Sequence, residues 1–249
     1  MKTFSLLLKS LDPKPSRQEL EEISVEVPSV AKADCAGIVS DWFGIVVSGI
    51  SIEDARLLQT ALRSKGCATD VVGDDDIPAL HPDIRCQRVA LTKSQVILTN
   101  SMNRRQDRNK DELVFISAGM VSRNKLITRY KTVSETRETR YGNYTVPVER
   151  AVKCEETKTS FRVDFFFSTA PHRISLELDS DSVIFFGDRH VRLKNSTELL
   201  VLMVDLLAIV PPERTNRSLR ELALDQVYPS MHGYEEELRW AFYRLGANS

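Results

Sequence analysis

The chain of 249 residues has few of the residue types that build metal and redox sites. It contains four cysteines and four histidines, and no two cysteines form a CxxC pair. The histidines show neither the HxH nor the HxxxH spacing, so no zinc ligand set stands out. We therefore expect no metal ion and no cofactor. Cys35 and Cys67 lie in apolar stretches and are predicted to be small core residues.

Glycine-rich phosphate loops are also missing. The sequence has only 10 glycines and contains neither GxxxxGK[ST] nor GxGxxG, which excludes the common nucleotide-binding loops. The nucleophile motif GxSxG is absent as well. Paired acidic residues fall in polar stretches, where they are typical of solvated faces. From these absences we predict that the protein is not an enzyme.

The sequence has neither a strong excess of charge nor a long hydrophobic run. Its 34 basic and 35 acidic residues give a net charge of -1, which excludes a binder with positive charge spread over the whole chain. An apolar content of 42% excludes a disordered chain. The longest apolar run, residues 199–210, is shorter than the about 20 residues that cross a membrane. The apolar run 4–8 is too short for a secretion signal, so we expect a cytoplasmic protein with no membrane span.

The first 73 residues predict a small domain with the order β-α-α-β-α-β. A capping box begins at Ser16, and Ser51 precedes an amphipathic helix that Gly66 ends. On the second helix we expect Ala33 and Ala36, together with Ile38 and Val39, to face inward. Strands rich in β-branched or apolar residues separate these helices.

Residues 74–83, rich in acids and prolines, are predicted to be a linker. Residues 84–249 alternate short apolar and polar runs, which predicts a mainly antiparallel β domain followed by helices. The chain is thus expected to be a two-domain α+β protein. Within the second domain we interpret residues 104–110 as a charged turn, 131–160 as a long loop or mobile hairpin, and 198–210 and 234–245 as helices.

The run from Gly44 to Gly49, the acidic helix capped at Ser51 and the strand after Gly66 together resemble the C-terminal domain of the bacterial ribosomal stalk protein. The Clp protease adaptor shares that fold. Stalk domains bind translation GTPases through exposed lysines, but this sequence has Ala33 and Ala36 at those positions, so the resemblance implies the fold rather than that partner. The strand count and long helix of 84–249 resemble pleckstrin-homology-like domains, and the whole chain resembles a bacterial two-domain protein.

The basic residues are concentrated in one stretch. Residues 81–150 carry 14 basic and 7 acidic side chains. The candidate binding residues are Arg104, Arg105, Arg108, Lys110, Arg123, Lys125, Arg129 and Lys131. They are suited to phosphates of nucleic acid or of anionic lipid headgroups, with Tyr130, Tyr141 and Tyr144 as stacking aromatics. The alternative is that Glu135, Glu138 and the acidic N-terminal domain neutralise them within the protein.

Three hypotheses follow for the function. The first is a non-enzymatic protein-binding or adaptor protein, whose partner is another protein. The second is a binder of phosphate-rich ligands, through the basic stretch 104–131. The third is an enzyme with a site between the two domains. The sequence leaves the oligomeric state open.

Overall fold

A computed structural model describes residues 2–140, 142–180 and 182–246, and only the backbone of Lys125, 137–139, 143 and 144. Helices combine with antiparallel and mixed sheets, so the predicted α+β class is confirmed. Among the described residues, no helix has the length and apolar character needed to cross a membrane.

Residues 4–73 adopt the predicted β-α-α-β-α-β order. The elements are β1 (Phe4–Leu8), α1 (Arg17–Ser24), α2 (Cys35–Ser40), β2 (Ile45–Ile50), α3 (Ile52–Ser64) and β3 (Thr69–Gly73). The strands form an antiparallel sheet in the order β2-β1-β3. Central strand β1 buries Leu6 and Leu8 against Leu20 of α1 and Leu58 of α3. Alternation along β1 thus supplies one face of a helix-covered core.

The helix boundaries of this part follow from local capping chemistry. Ser16 accepts a hydrogen bond from the N–H of Glu19, whose carboxylate accepts one from the N–H of Ser16, so the predicted capping box is confirmed. Gly66 has a φ of 83° after α3, a backbone conformation that glycine adopts without steric cost.

The predicted inner face of the second helix is wrong in part. Ala33 and Ala36 are exposed, whereas Cys35 is fully buried. Ile38 and Val39 are partly buried against the core, as predicted. A 3₁₀ turn over Lys32–Asp34 precedes α2, and its tighter winding shifts which residues point inward. Cys35 and Cys67 both lie in the core, as predicted.

The described residues after Gly73 form two five-stranded sheets and three α-helices. The elements are β4 (Ile84–Cys86), β5 (Arg88–Leu91), β6 (Gln95–Thr99), β7 (Arg105–Asn109), β8 (Leu113–Thr139), β9 (Gly142–Phe167), β10 (Arg173–Leu178), β11 (Val183–Phe186), β12 (Arg189–Arg192), α4 (Ser196–Leu207), α5 (Arg217–Arg220), β13 (Val227–Tyr228) and α6 (Met231–Arg244). One sheet has the order β13-β8-β9-β10-β4 and the other β12-β11-β5-β6-β7. Apolar residues of both sheets pack with Leu199, Leu202 and Met203 of α4 in one core.

The interpretation of 104–110 as a turn is wrong, and of the two alternatives for 131–160 the structure has the hairpin. Residues 105–109 form edge strand β7 rather than a turn. Most of 131–160 continues β8 and β9, which pair along one very long hairpin. Both segments lack the apolar alternation of a half-buried strand, because the arm is largely exposed on both faces and the inward face of β7 carries Gln106 and Arg108 instead of apolar residues.

Helix α6 joins the N-terminal sheet to the larger part. The indole Nε1 of Trp240 donates a hydrogen bond of 2.6 Å to the carbonyl of Leu8, and Arg244 donates one of 2.7 Å to the same oxygen. On the other side of α6, Tyr234 and Leu238 are buried with Phe115 of β8. The residues predicted as two domains therefore share this helix in their packing.

Candidate interaction surface

The outer part of the β8–β9 hairpin is an arm, which we define as residues 124–157. It contains sixteen residue pairs, from Asn124↔Thr157 to Thr139↔Gly142. At about 3.3 Å per residue, this ribbon extends about 50 Å. The side-chain hydrogen bonds and ion pairs seen for its described residues join arm residues to one another. A two-stranded ribbon of this kind is marginally stable in water without a partner.

Strict pairing gives the arm two different faces, because residues directly opposite each other share a face. Among the residues with described side chains, the threonine face consists of Asn124, Leu126, Thr128, Tyr130, Thr132, Ser134, Thr136, Thr145, Pro147, Glu149, Ala151, Lys153, Glu155 and Thr157. The cationic face consists of Ile127, Arg129, Lys131, Val133, Glu135, Val146, Val148, Arg150, Val152, Cys154 and Glu156.

Long charged side chains partly cover the cationic face. Arg129 pairs with Glu156 at 3.1 Å, and Arg150 with Glu135 at 3.6 Å. Lys131 stands directly opposite Arg150, and the described residues give it no anionic partner. Like charges directly opposite each other disfavour the ribbon. This face therefore holds a small excess of positive charge.

The threonine face has no comparable cover of paired charged side chains. All fourteen of these members are exposed, including Tyr130 at 71% and Leu126 at 68%. Within the described part of the chain, Lys153 and Glu149 have no charged partner. Most of the remaining members are threonines and other small or neutral residues, which fit a flat packing surface.

The structure places the second group of predicted basic residues along this hairpin. Arg129 and Lys131 lie on the cationic face. Arg123 lies at the base of the arm and pairs with Glu177 at 3.0 Å. The side chains of Lys125 and Tyr144, and all of Tyr141, lie outside the described residues; so does the side chain of Glu138.

The first group of predicted basic residues belongs to the other sheet. Arg105 pairs with Asp107 at 2.6 Å on β7. Arg108 is 7% exposed and donates to the carbonyl of Thr169 at 2.7 Å, with its guanidinium over the ring of Phe167. Arg104 is exposed and Lys110 half-buried beside β7. The structure does not bring these four residues onto the arm.

A buried charge cluster lies on the β8–β9 pair about seven residues below the arm, where α6 crosses it. Asp164 has no exposed surface and accepts hydrogen bonds from Arg162 at 2.8 Å, Arg173 at 3.2 Å and the hydroxyl of Tyr234 at 2.7 Å. The same Tyr234 oxygen lies 2.6 Å from Oγ of Ser117. Burial raises the pKa of Tyr234, which keeps its hydroxyl protonated as a donor.

Asp83, the last residue of the predicted linker, extends this cluster. It accepts hydrogen bonds from Arg162 at 2.8 Å and from Ser175 at 2.6 Å. Burial alone would raise the pKa of Asp83, but the hydrogen bond from Ser175 and the guanidinium of Arg162 hold it at about 2. Its carboxylate therefore stays charged at neutral pH.

A second buried cluster lies beside the first. Glu237 of α6 is 1% exposed and accepts hydrogen bonds from the hydroxyl of Tyr228 at 2.6 Å and the N–H of Arg217 at 2.7 Å. Burial raises the pKa of Glu237. Asn216 connects the cluster to the backbone of Ala118 on β8 through two hydrogen bonds. Because these side chains have almost no exposed surface, they can hold α6 in place but cannot touch a substrate.

A cleft of about 930 Å³ separates the linker from the end of β9. The imidazoles of His81 and His172 stack across it with centroids 4.3 Å apart. Ser168 also lines this cleft, but the described residues show no hydrogen bond from it to either histidine, as a nucleophile and base would need. In the described ranges, no group of three or more His, Cys, Asp or Glu side chains is arranged to hold a metal ion.

Comparison of the chain with protein-family models, curated proteins and solved structures gives no match. The arm therefore has to be interpreted from its own geometry.

Sequence reasoning named several arm residues and gave a hairpin as one alternative for 131–160, but it did not predict one continuous ribbon over 124–157. The signal that indicates it is a period of two in which Thr128, Tyr130 and Thr132 alternate with Arg129 and Lys131. Threonine, tyrosine and β-branched residues are enriched in strands. Long cationic side chains between them are compatible with a strand exposed on both faces.

Proposed function

We propose that this protein is a non-enzymatic binding or adaptor protein whose interaction element is the arm. The observation that carries the proposal is the ribbon of sixteen residue pairs, with a fully exposed threonine face. Folding gains little from ordering a ribbon that packs on nothing else. A bound partner would supply the missing packing.

The buried clusters support this function through their position. Ser117 and Asp164 are directly opposite each other on β8 and β9, about seven residues below the start of the arm. Their hydrogen bonds to Tyr234 attach α6 across the ribbon at this point. A support of this kind fixes the direction in which the arm projects.

The cationic face favours a second candidate function, the binding of a phosphate-rich ligand. Lys131 and Arg150 stand side by side with a third cation, Arg129, on the same face. A two-stranded ribbon fits the major groove of B-DNA. Binding of this kind would fall steeply with added salt.

The two resemblances stay proposals. The antiparallel β2-β1-β3 sheet with its helices supports a stalk-like fold for residues 4–73. The packing of α4 with both five-stranded sheets supports a pleckstrin-homology-like arrangement of the second part. Neither fold identifies a partner.

A shortened arm tests the function. Residues 126–155 are replaced by Asn-Gly, which joins Lys125 to Glu156 by a two-residue turn. This pair lies an even number of pairs below the natural end at Thr139↔Gly142, so the alternating hydrogen-bond pattern is kept. Because arm side chains do not pack on the core clusters, we expect the melting temperature to change by no more than about 2 °C.

The tagged full chain and the shortened chain are then compared in nuclease-treated lysate at two salt concentrations, with mass spectrometry of what each retains. We expect the full chain to retain a discrete protein at moderate salt and the shortened chain to lose it. Equal retention by both chains would contradict the role of the arm. Retention that nuclease or salt abolishes would support the phosphate-rich ligand instead.

A further inference from the structure

We propose that the threonine face of the arm binds the same face of a second copy of this chain, in a two-fold dimer with the arms antiparallel. This inference rests on the proposed function of the arm and names its partner. A two-fold interface uses the same surface on both copies, so that surface must be complementary to itself. The threonine face meets this condition in its charge pattern and in its size.

The charge pattern fixes one register. In an antiparallel stack centred on the Tyr130↔Ala151 pair, Lys153 of each copy faces Glu149 of the other. Both side chains are exposed, and the described residues of one chain offer neither of them an ion pair. The stack thus forms two new ion pairs and places the two copies of Tyr130 against each other.

Neighbouring registers are less favourable. Moving the centre by one residue toward Leu126 brings Glu155 against Glu149, and moving it by two brings Lys153 against Lys153. Moving it by one or two residues the other way gives no ion pair or brings Glu149 against Glu149. Like charges in contact disfavour association. Of the five registers centred from Thr128 to Thr132, only the one at Tyr130 pairs opposite charges.

The available area suits a weak dimer. In the register centred on Tyr130↔Ala151, residues 124–136 of the two arms overlap, so the stacked ribbons are about 43 Å long and about 10 Å wide, and the two copies together bury about 860 Å² before side-chain relief is counted. This value lies in the range of weak, transient interfaces. We therefore expect dissociation constants in the micromolar range. The cationic face remains outside the stack, where its positive charge does not oppose association.

The exposure of the two faces indicates which one a second copy of the chain would cover. On the cationic face, Ile127, Val146 and Val148 are half-buried beneath their charged neighbours within one chain. On the threonine face, Leu126 and Tyr130 have no such cover and are the most exposed large apolar side chains of the arm. Burial of apolar area is favourable in proportion to the area removed from water. The threonine face therefore gains more from a second ribbon than the cationic face does.

Sedimentation equilibrium of the purified full chain, from about 1 to 300 µM, tests the proposal across the expected range. Lys153→Glu and Glu149→Lys each place like charges in both contacts of the dimer. We expect each single variant to weaken self-association at least tenfold. The double variant, which exchanges the two charges, should recover it.

A mixture of the two single variants gives the sharpest result. In a mixed dimer, one contact joins the substituted position of the Lys153→Glu chain to the substituted position of the Glu149→Lys chain, so opposite charges meet there. The other contact joins the unchanged Glu149 of the first chain to the unchanged Lys153 of the second. Mixing two weakly associating chains should therefore yield a dimer of nearly natural strength. Circular dichroism of each variant checks that the strand content is retained.

Lys131→Glu is the matched control, because it makes the same charge change on the opposite face. It should leave the dissociation constant within about threefold. A full chain that stays monomeric throughout the concentration range would overturn the proposal, as would equal weakening by Lys131→Glu and Lys153→Glu or failure of the mixture to associate. A monomeric chain that still loses its captured protein when the arm is shortened would refute the dimer and leave the proposed function standing.

Discussion

Removal of the Tyr234 hydroxyl tests whether the buried charge cluster holds α6 against the base of the arm. This hydroxyl donates to Asp164 at 2.7 Å and lies 2.6 Å from Oγ of Ser117. Tyr234→Phe keeps the ring and deletes one hydrogen bond to a carboxylate that has no exposed surface. It also leaves Ser117 without this partner.

The expected loss follows from those two contacts. A hydrogen bond to a charged group contributes about 1.5–3 kcal/mol, and a buried polar group left unpaired costs about 1–3 kcal/mol. Together the two effects give about 2.5–6 kcal/mol. Because Asp164 keeps its two arginine partners, we expect a loss near the lower end of this sum, about 3 kcal/mol. For a chain of this size, that lowers the melting temperature by about 6–12 °C.

Urea unfolding and thermal melts measure this change. Tyr243→Phe is the control, since it removes the same atom from the same helix at a position where no described residue hydrogen-bonds the hydroxyl. It should change stability by less than about 0.5 kcal/mol. Ser117→Ala, alone and combined with Tyr234→Phe, completes a double-mutant cycle with an expected coupling of about 1 kcal/mol. A loss for Tyr234→Phe as small as that of the control would refute the argument.

Two further predictions concern the linker and the contact between α6 and the N-terminal sheet. Because the pKa of Asp83 in the folded protein is about 2, below its ordinary value of 3.8, its carboxylate stabilises the fold above about pH 4 and loses this effect as the pH falls toward 2. Asp83→Asn should therefore cost about 2 kcal/mol at pH 7 and progressively less below about pH 4 in urea titrations. A difference that does not depend on pH would contradict this. Gly44 has a φ of 110°, and a Cβ there would lie 2.3 Å from Cγ of Trp240, so Gly44→Ala should cost more than about 3 kcal/mol. Gly49→Ala, at a φ of 76° with open space around it, should cost only about 1 kcal/mol, and equal losses at both glycines in thermal melts would show that contact with the indole is unimportant.

Local signals predicted the N-terminal part well. The capping serines Ser16 and Ser51 and the glycine that ends α3 act over three or four residues, so their chemistry can be seen in the sequence itself. The second helix was predicted less well, because the 3₁₀ turn before α2 changes the winding without a distinctive residue. Local chemistry therefore predicts the boundaries of an element better than the face it buries.

Long-range features were beyond local signals. The contact of Trp240 with the carbonyl of Leu8 joins residues 232 positions apart. Nothing in the local sequence around either residue indicates this contact. The buried cluster left a visible trace, since Arg162 and Asp164 alternate with apolar residues along one strand. Two opposite charges spaced by two in a buried strand indicate a shared face and a buried ion pair.

Substitutions on the threonine face of the arm are expected to weaken self-association, and substitutions in the buried charge cluster are expected to lower stability. Each kind should leave the other property unchanged, which argues for separate roles of the arm and the cluster. Ser117 and Asp164 lie on the side of the ribbon that continues the cationic face, while the proposed dimer uses the opposite side. At chain concentrations below the dissociation constant of the dimer, Lys153→Glu should leave the melting temperature unchanged, because association no longer adds stability by mass action. Well below its own melting temperature, Tyr234→Phe should leave the dissociation constant within about twofold. A Tyr234→Phe chain that is folded but no longer self-associates would show that α6 does more than hold the ribbon, since the dimer would then depend on the angle at which the arm leaves the body.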